Sequence, residues 1–228
     1  MTGDQTAGQR AEVAWTARRV PVSTRFDDPY FSLEDGLAET RHTFLAGNDL
    51  PGRFTPGFHV AELGFGTGLN MLATCLAFEA AGAPGPLHYT SFEAYPMTAD
   101  DMARALAAFP QAAAVADGVI GPWSRGERQF SLGAMRVEVI EGDARTTLPR
   151  WAGRADAWYL DGFSPAKNPA LWEPELLAAV GTHTAPGGTF ATYTAAGFVR
   201  RALEDAGFAV ERRPGFGRKR HMSVGCRP

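Results

Sequence analysis

Two strings of residues in this chain could do chemistry. The first is Asp161-Gly-Phe-Ser-Pro-Ala-Lys-Asn-Pro169, which puts a carboxylate, an aromatic ring and an ammonium group into a loop with two prolines. The second is Glu62-Leu-Gly-Phe-Gly-Thr-Gly-Leu-Asn70, a glycine-rich turn between the apolar run Phe58–Ala61 and a helix-like segment, Leu69–Phe78. A carboxylate such as Asp161 can hold a nitrogen nucleophile by a hydrogen bond and accept its proton. Glycines at 64, 66 and 68 let the backbone approach a nucleotide-like ligand closely. A helix that starts there turns free N–H groups and a positive dipole end toward an anionic part of the ligand.

The loop's details discriminate between ligands. A dinucleotide fingerprint wants G-x-G-x-x-G. Gly64 and Gly66 fit it, but the third position is Leu69 and the extra glycine is Gly68. Glu62, just ahead of the turn, would repel a pyrophosphate but not the zwitterionic, sulfonium-bearing tail of S-adenosylmethionine (SAM). The pattern therefore points to SAM, with a nicotinamide cofactor or a purely structural turn as the alternatives.

These residues need a frame. From residue 58 onward strand-like and helix-like segments alternate. The strands are Phe58–Leu63, Leu87–Phe92, Arg136–Ile140, Ala155–Leu160 and Gly188–Thr194, then Phe208–Arg212 with Met222–Cys226. Helical patterns fill 69–81, 98–117, 143–150, 171–181 and 197–206, and Pro186-Gly-Gly188 reads as the turn that ends the fourth helix. Alternation of this kind predicts an α/β fold, a mainly parallel sheet with helices on both faces. Residues 1–57 read as an N-terminal extension packed on that core, with a short hairpin from Val13–Trp15 and Arg19–Val22 and a helix over Leu37–Phe44. Residues 58–228 form the core and end in a basic strip.

Ligands in such sheets bind beyond the carboxyl ends of the strands. Glu93 ends the second strand, about where an acidic residue takes both ribose hydroxyls; a capped surface turn is its plain alternative. Asp143 follows the third strand in Glu141-Gly-Asp-Ala144. It can accept the adenine amino group while the nearby N–H of Ala144 meets a ring nitrogen, and it can equally cap a helix. Asp161 follows the fourth strand, where a methyl acceptor would lie. Phe65 and Asn70 are counted with the cofactor pocket, as is Tyr30.

Composition bounds the rest. The chain has 228 residues, long enough for a substantial core. It shows no apolar run long enough for a membrane helix, and residues 1–10 form a polar lead-in without the apolar segment of a secretory signal. Cys75 and Cys226 fit no metal or redox spacing and read as reduced thiols of a cytoplasmic protein. The histidines show no ligand spacing, so no metal is expected. Net charge is −3, yet Gly197–Pro228 holds eight basic residues against three acidic ones. Such a strip can bind a polyanion or be a solvated tail.

Taken together, several strings resemble one family. They are Asp27–Ser32, Asp35–Arg41, Glu62–Asn70, Ser91–Glu93, Trp158–Pro169, Pro186–Thr192, Ala196–Arg201 and Gly215–Arg220. In this order they resemble the methyltransferase domain of the bacterial tRNA 5-methylaminomethyl-2-thiouridine biosynthesis protein, over nearly the whole chain. The resemblance implies a class I SAM-dependent methyltransferase. It would methylate the primary amine of 5-aminomethyl-(2-thio)uridine at the wobble position in the tRNA anticodon loop. Related two-domain proteins carry a flavin-dependent oxidase that first removes a carboxymethyl group, so a separate oxidase is an expected partner. A small-amine transferase like spermidine synthase and a non-catalytic tRNA-binding module are the rival readings.

In that reading Asp161 orients the acceptor amine and relays its proton. Phe163 or Tyr30 stacks on the extruded base, which leaves a single-stranded loop at modest cost. Lys167 meets the RNA backbone or the uracil carbonyl. Arg218, Lys219 and Arg220 contact phosphates.

Overall fold

The computed structural model describes residues 9–32 and 34–228. Most of the polar lead-in expected over residues 1–10 lies outside the described residues. An eight-stranded sheet organises the chain. It contains β4 (His59–Leu63), β5 (Leu87–Glu93), β6 (Gln129–Leu132), β7 (Met135–Glu141), β8 (Ala155–Leu160), β9 (Thr184–Thr192), β10 (Ala209–Pro214) and β11 (His221–Cys226), in the order β10-β11-β9-β8-β4-β5-β7-β6. The pairs among β7, β5, β4, β8 and β9 are parallel, and the pairs β6–β7, β10–β11 and β11–β9 are antiparallel. A separate small sheet holds β1 (Val13–Trp15), β2 (Pro21–Ser23) and β3 (Asp28–Pro29).

The central strands are buried on both sides because successive side chains point to opposite faces. On one face Val60, Tyr89, Ala157 and Tyr159 pack against the helix α2 (Leu69–Ala80) and its neighbours. On the other, Ala61, Leu63, Phe92, Trp158 and Leu160 pack beneath α6 (Pro174–Thr182) and α7 (Gly197–Asp205). Trp123, Trp158 and Trp172 are all in these cores.

Several boundaries differ from the sequence reading. The single helix expected over 98–117 is two, α3 (Ala99–Leu106) and α4 (Ala113–Ser124), split by a short 3₁₀ turn over Pro110–Ala112. Pro110 forbids helical geometry at the residue before it, and Phe109 sits at φ −122°, ψ 73°. The strand β6 was missed. It folds back on β7 through Gly133, at φ +55°. Pro186-Gly-Gly188 is not a helix-ending turn. It lies inside β9, where pairing with β8 jumps from Ala155↔Thr184 to Ala157↔Thr189, an insertion that leaves Gly187 at φ +72°.

The segment before β4 wraps the core. Its helix α1 (Gly36–Thr40) starts on an Asp35 cap, whose Oδ1 accepts from Ala38 N at 2.9 Å, and runs on into a wider turn over Arg41–Leu45. Asn48 donates to Trp158 O, and Arg53 donates to Asp156 O and Thr189 Oγ1, tying this segment to β8 and β9.

Candidate functional site

The chain runs from β4 to β5 to β7 on one side and then crosses to β8 on the other side of β4. Two connections therefore diverge at the β4–β8 boundary and leave a crevice at the carboxyl edge. A cavity of about 690 Å³ occupies it, within the range of small-molecule sites.

The glycine turn forms its floor. Gly64 N donates to Phe92 O at 2.9 Å, pinning the turn to β5. Gly64 has φ +86°, and a Cβ there would lie 3.3 Å from Gly162 Cα, so the β4 and β8 loops touch at that point. A Cβ on Gly66, at φ +55°, would meet the Tyr30 ring at 3.3 Å. Thr67, buried and absent from the sequence reading, also lines the wall. One expected wall residue is corrected. Gly68 is not on the wall; it sits at the N-terminus of α2 with φ +78° and serves the turn. Phe65 lines the wall, and its ring is stacked on Trp123 at 5.0 Å.

Four carboxyl groups sit close to this turn in different surroundings. Glu93 lies on the wall, with Oε2 accepting from Gly66 N at 2.9 Å and Oε1 from Tyr95 N at 2.7 Å. Burial raises its proton affinity, against those backbone donors. Asp143 caps the helix α5 (Ala144–Thr147), accepting from Arg145 N at 2.9 Å and Arg145 Nη2 at 2.6 Å. Burial alone would raise its pKa, but the Arg145 contacts win and lower it. Ala144 lines the wall beside it. Asp161 faces the cavity just beyond β8; its Oδ1 accepts from Gly162 N at 2.8 Å and its Oδ2 from Asn70 Nδ2 at 2.7 Å. Burial pushes it up to about 6.

Glu62 is the clearest correction. It is fully buried and off the wall. It sits inside β4, one residue before the strand's end, on the face that α2 covers, level with Ser91 on β5. Its Oε1 accepts from Asn70 Nδ2 at 2.8 Å, its Oε2 is 2.7 Å from Ser91 Oγ, and burial pushes its pKa up to about 8. It holds the turn from behind and presents no charge to a ligand. Asn70 lines the wall, but its amide hydrogens are both committed, to Glu62 and to Asp161. Its side-chain amide has no N–H left for a cofactor.

The roof comes from distant segments. Tyr30, Asp28 and Phe26 reach over from the small sheet. Phe163 is sandwiched among them, stacked on Phe26 at 4.8 Å and edge-on to Tyr30 at 5.1 Å, so its ring is already in contact with protein. Lys167, expected to touch substrate, is off the wall. Its ammonium contacts Asp27 and lies 3.5 Å from Asp28 Oδ1, while Ser164 N donates to Asp28 Oδ2 at 2.8 Å. It latches the roof.

The basic strip divides. Arg227 donates to Gly181 O and Thr184 O, and Arg213 pairs with Asp49 and Glu211. Lys219 is on the wall, held 2.6 Å from Glu39 and 4.2 Å above the Tyr193 ring. Arg218 is on the rim, 94% exposed and loosely 3.5 Å from Glu34. Arg220 is exposed, off the wall, and carries no ion pair among the described residues.

Sequence reasoning missed Tyr193, whose hydroxyl donates to Gly162 O at 2.9 Å, and Thr40, whose hydroxyl donates to Asn70 Oδ1 at 2.8 Å. Tyr193 carried a signal, since it follows the last residue of β9 at the same edge. Thr40 carried none; only the docking of α1 against α2 brings it there. No histidine lines the wall, and no cluster that could hold a metal occurs among the described residues. No helix among them is long and apolar enough to cross a membrane. Both cysteines are free.

A parallel sheet with this order and a glycine turn at its switch point is the class I methyltransferase architecture. A family of S-adenosyl-L-methionine-dependent methyltransferases matches residues 110–228, just over half of the chain, and the chain belongs to it. Its cofactor is S-adenosyl-L-methionine. The chain is 48% identical, over 94% of its length, to the tRNA 5-methylaminomethyl-2-thiouridine biosynthesis bifunctional protein MnmC of Chromohalobacter salexigens, covering 32% of that protein. It is 47% identical to the protein of the same name from Caulobacter sp. over 94% of its length, covering 38% of it. The chain thus spans about a third of the length of the curated relatives it matches. The crystal structure of MNMC2 from Aquifex aeolicus superposes with a TM-score of 0.77 at 22% identity, over 95% of this chain and 70% of that one, which establishes the shared fold.

Proposed function

We propose that this chain transfers the methyl group of SAM to the primary amine of 5-aminomethyl-(2-thio)uridine at the wobble position of tRNA, giving 5-methylaminomethyl-(2-thio)uridine. The observation that carries the reading is Asp161 at the junction of the β4 and β8 loops, facing a cavity that a glycine turn and a strand-end carboxylate also line. The names of relatives 47–48% identical to the chain support the substrate.

The wall suits the cofactor. The turn is a cradle that Cβ atoms would fill, and the Glu93 carboxylate, held by backbone N–H groups that include those of Gly66 and Tyr95, can also accept from ribose hydroxyls. Asp143 and the Ala144 N–H can serve the adenine edge. SAM supplies, when bound, an electrophilic methyl on a sulfonium whose departure leaves a neutral thioether.

The chain's own work is to prepare the amine. A free alkylamine is protonated near pH 7 and then has no lone pair to offer. Asp161 accepts an N–H of the amine, turns its lone pair into the cavity and takes the released proton on its carboxylate. With its pKa pushed up to about 6, it is a better proton acceptor than an ordinary aspartate. The ring wall of Phe26, Tyr30 and Phe163 keeps water from the reacting atoms. Arg218 and Arg220 meet RNA phosphates at the rim. Lys167 closes the roof and does not touch substrate. In this reading the free amine comes from an oxidase that removes a carboxymethyl group, and the reaction takes place in the cytoplasm.

The test is incubation with methyl-labelled SAM and tRNA that carries the unmethylated aminomethyl nucleoside, followed by nucleoside analysis. Label in the 5-methylaminomethyl nucleoside is expected. Label elsewhere, or in a small amine instead of tRNA, would replace this reading with the small-amine transferase.

A further inference from the structure

Asn70 stands at a crossing of buried hydrogen bonds. Its Oδ1 accepts from Thr40 Oγ1 at 2.8 Å, and its Nδ2 donates to Glu62 Oε1 at 2.8 Å and to Asp161 Oδ2 at 2.7 Å. The hydroxyl and the two carboxyl groups fix which way the amide points, because the flipped amide would set its oxygen against two carboxyl oxygens. The backbone is fixed as well, since Asn70 O accepts from Thr74 Oγ1 at 2.7 Å. Nothing in this set is left to rotate. Thr40 arrives from α1, Asn70 from the first turn of α2, Glu62 from β4 and Asp161 from the end of β8.

We propose that Asn70 is a positioning residue for the methyl transfer: backed by Glu62 and Thr40, it locks the Asp161 carboxylate in one orientation and holds it ionised. The inference rests on the function proposed above. Asp161 has two oxygens and two fixed donors, Gly162 N on Oδ1 and Asn70 Nδ2 on Oδ2. Each oxygen keeps one lone pair, and their directions are set by those donors. A partly buried aspartate with fewer donors would rotate and would hold a proton more tightly. The Asn70 bond is one of the two that work against burial here.

Glu62 completes the device because burial raises its pKa to about 8, which favours the uncharged form near pH 7. Glu62 accepts from Asn70 Nδ2 on Oε1 and from Ser91 Oγ on Oε2, so the amide is anchored by a carboxyl group whose charged form burial disfavours beside Asp161. An ionised glutamate there would raise the proton affinity of Asp161 and undo the effect of the amide bond.

The experiment compares Asn70→Ala, Thr40→Val and Asp161→Asn with the parent, measuring SAM affinity, tRNA kcat and KM, and the pH profile of kcat/KM. The substrate amine titrates identically in every case, so shifts between profiles report the enzyme. Asn70→Ala should keep SAM affinity within a few-fold, lose about tenfold or more in kcat, and move the acidic limb to higher pH. Thr40→Val should do the same more weakly, and it keeps the question open to test if Asn70→Ala does not fold. An unmoved acidic limb in whichever of these two variants folds, or a loss confined to SAM affinity, overturns the proposal. If Asp161→Asn itself keeps its turnover, the catalytic reading fails first. If Asp161→Asn is slow and the Asn70 and Thr40 variants are normal, only the inference fails.

Discussion

The floor and the roof of the cavity are built on different principles. The floor is made of strand ends and the turns directly after them: Gly64, Gly66, Glu93, Ala144 and Asp161. Each is placed by the sheet, and each keeps a backbone group or a side-chain lone pair toward the cavity. The roof is made of segments far apart in the chain, Phe26–Tyr30, Glu39, Phe163 and Arg218–Lys219. Its charged groups are largely spent on one another, as Lys167 with Asp27 and Asp28 and Lys219 with Glu39. A residue type in the floor therefore indicates a ligand contact much better than the same type in the roof.

That contrast can be broken by experiment. The largest effect should come from Glu93→Ala, which removes a wall carboxylate that also clamps Gly66 and Tyr95. SAM affinity should fall by about 2–3 kcal/mol, read by calorimetry, because hydrogen bonds to a charged group disappear. Intact affinity would mean that the floor does not hold the ribose.

Behind the floor, Glu62 should govern stability through pH. Its folded pKa of about 8 lies above that of an exposed glutamate, so the folded state holds a proton the unfolded chain has lost. The stability this contributes is fully present below the unfolded pKa of about 4.3 and lost as pH rises through about 8. Denaturant titrations across that window should show stability falling with pH, and Glu62→Gln should flatten the slope. An unchanged slope would mean that Glu62 is ionised in the fold.

Roof changes should be smaller. Lys167→Ala should cost at most about 1 kcal/mol of stability, since the pair is partly exposed, but should raise the tRNA KM as the roof loosens. A direct phosphate contact would instead show as a lower salt slope. Arg218→Ala with Arg220→Ala should reduce the salt slope of tRNA binding by up to ~0.7 for each phosphate that is no longer neutralised. Lys219→Ala, whose charge already has a partner, should barely change that slope. The reverse ranking would move the RNA to the paired side of the strip.

Glu62 and Asp161 show where the sequence was legible and where it was not. Both were expected at the site as carboxylates beside a strand. Asp161 follows Leu160, the last residue of β8, and so clears the sheet edge. Glu62 precedes Leu63, the last residue of β4, and so stays inside a strand flanked on both sides. Two residues of register separate a group facing the cavity from one sealed under α2. The two positions share the same parity, so only the strand's end distinguishes them, and the apolar run alone did not fix that end. The split of 98–117 was likewise readable at Pro110, whereas the bulge in β9 depended on pairing with β8.

The order of strands and helices, the glycine turn and the carboxylates that end β5 and β8 follow from the sequence itself, because period, turn chemistry and chain order are local properties. The partners of those groups do not. Thr40 lies thirty residues from Asn70, Asn70 ninety-one from Asp161, and Lys219 one hundred and eighty from Glu39. Which charges neutralise one another, and which face a ligand, was decided only when packing brought these distant segments within hydrogen-bonding range.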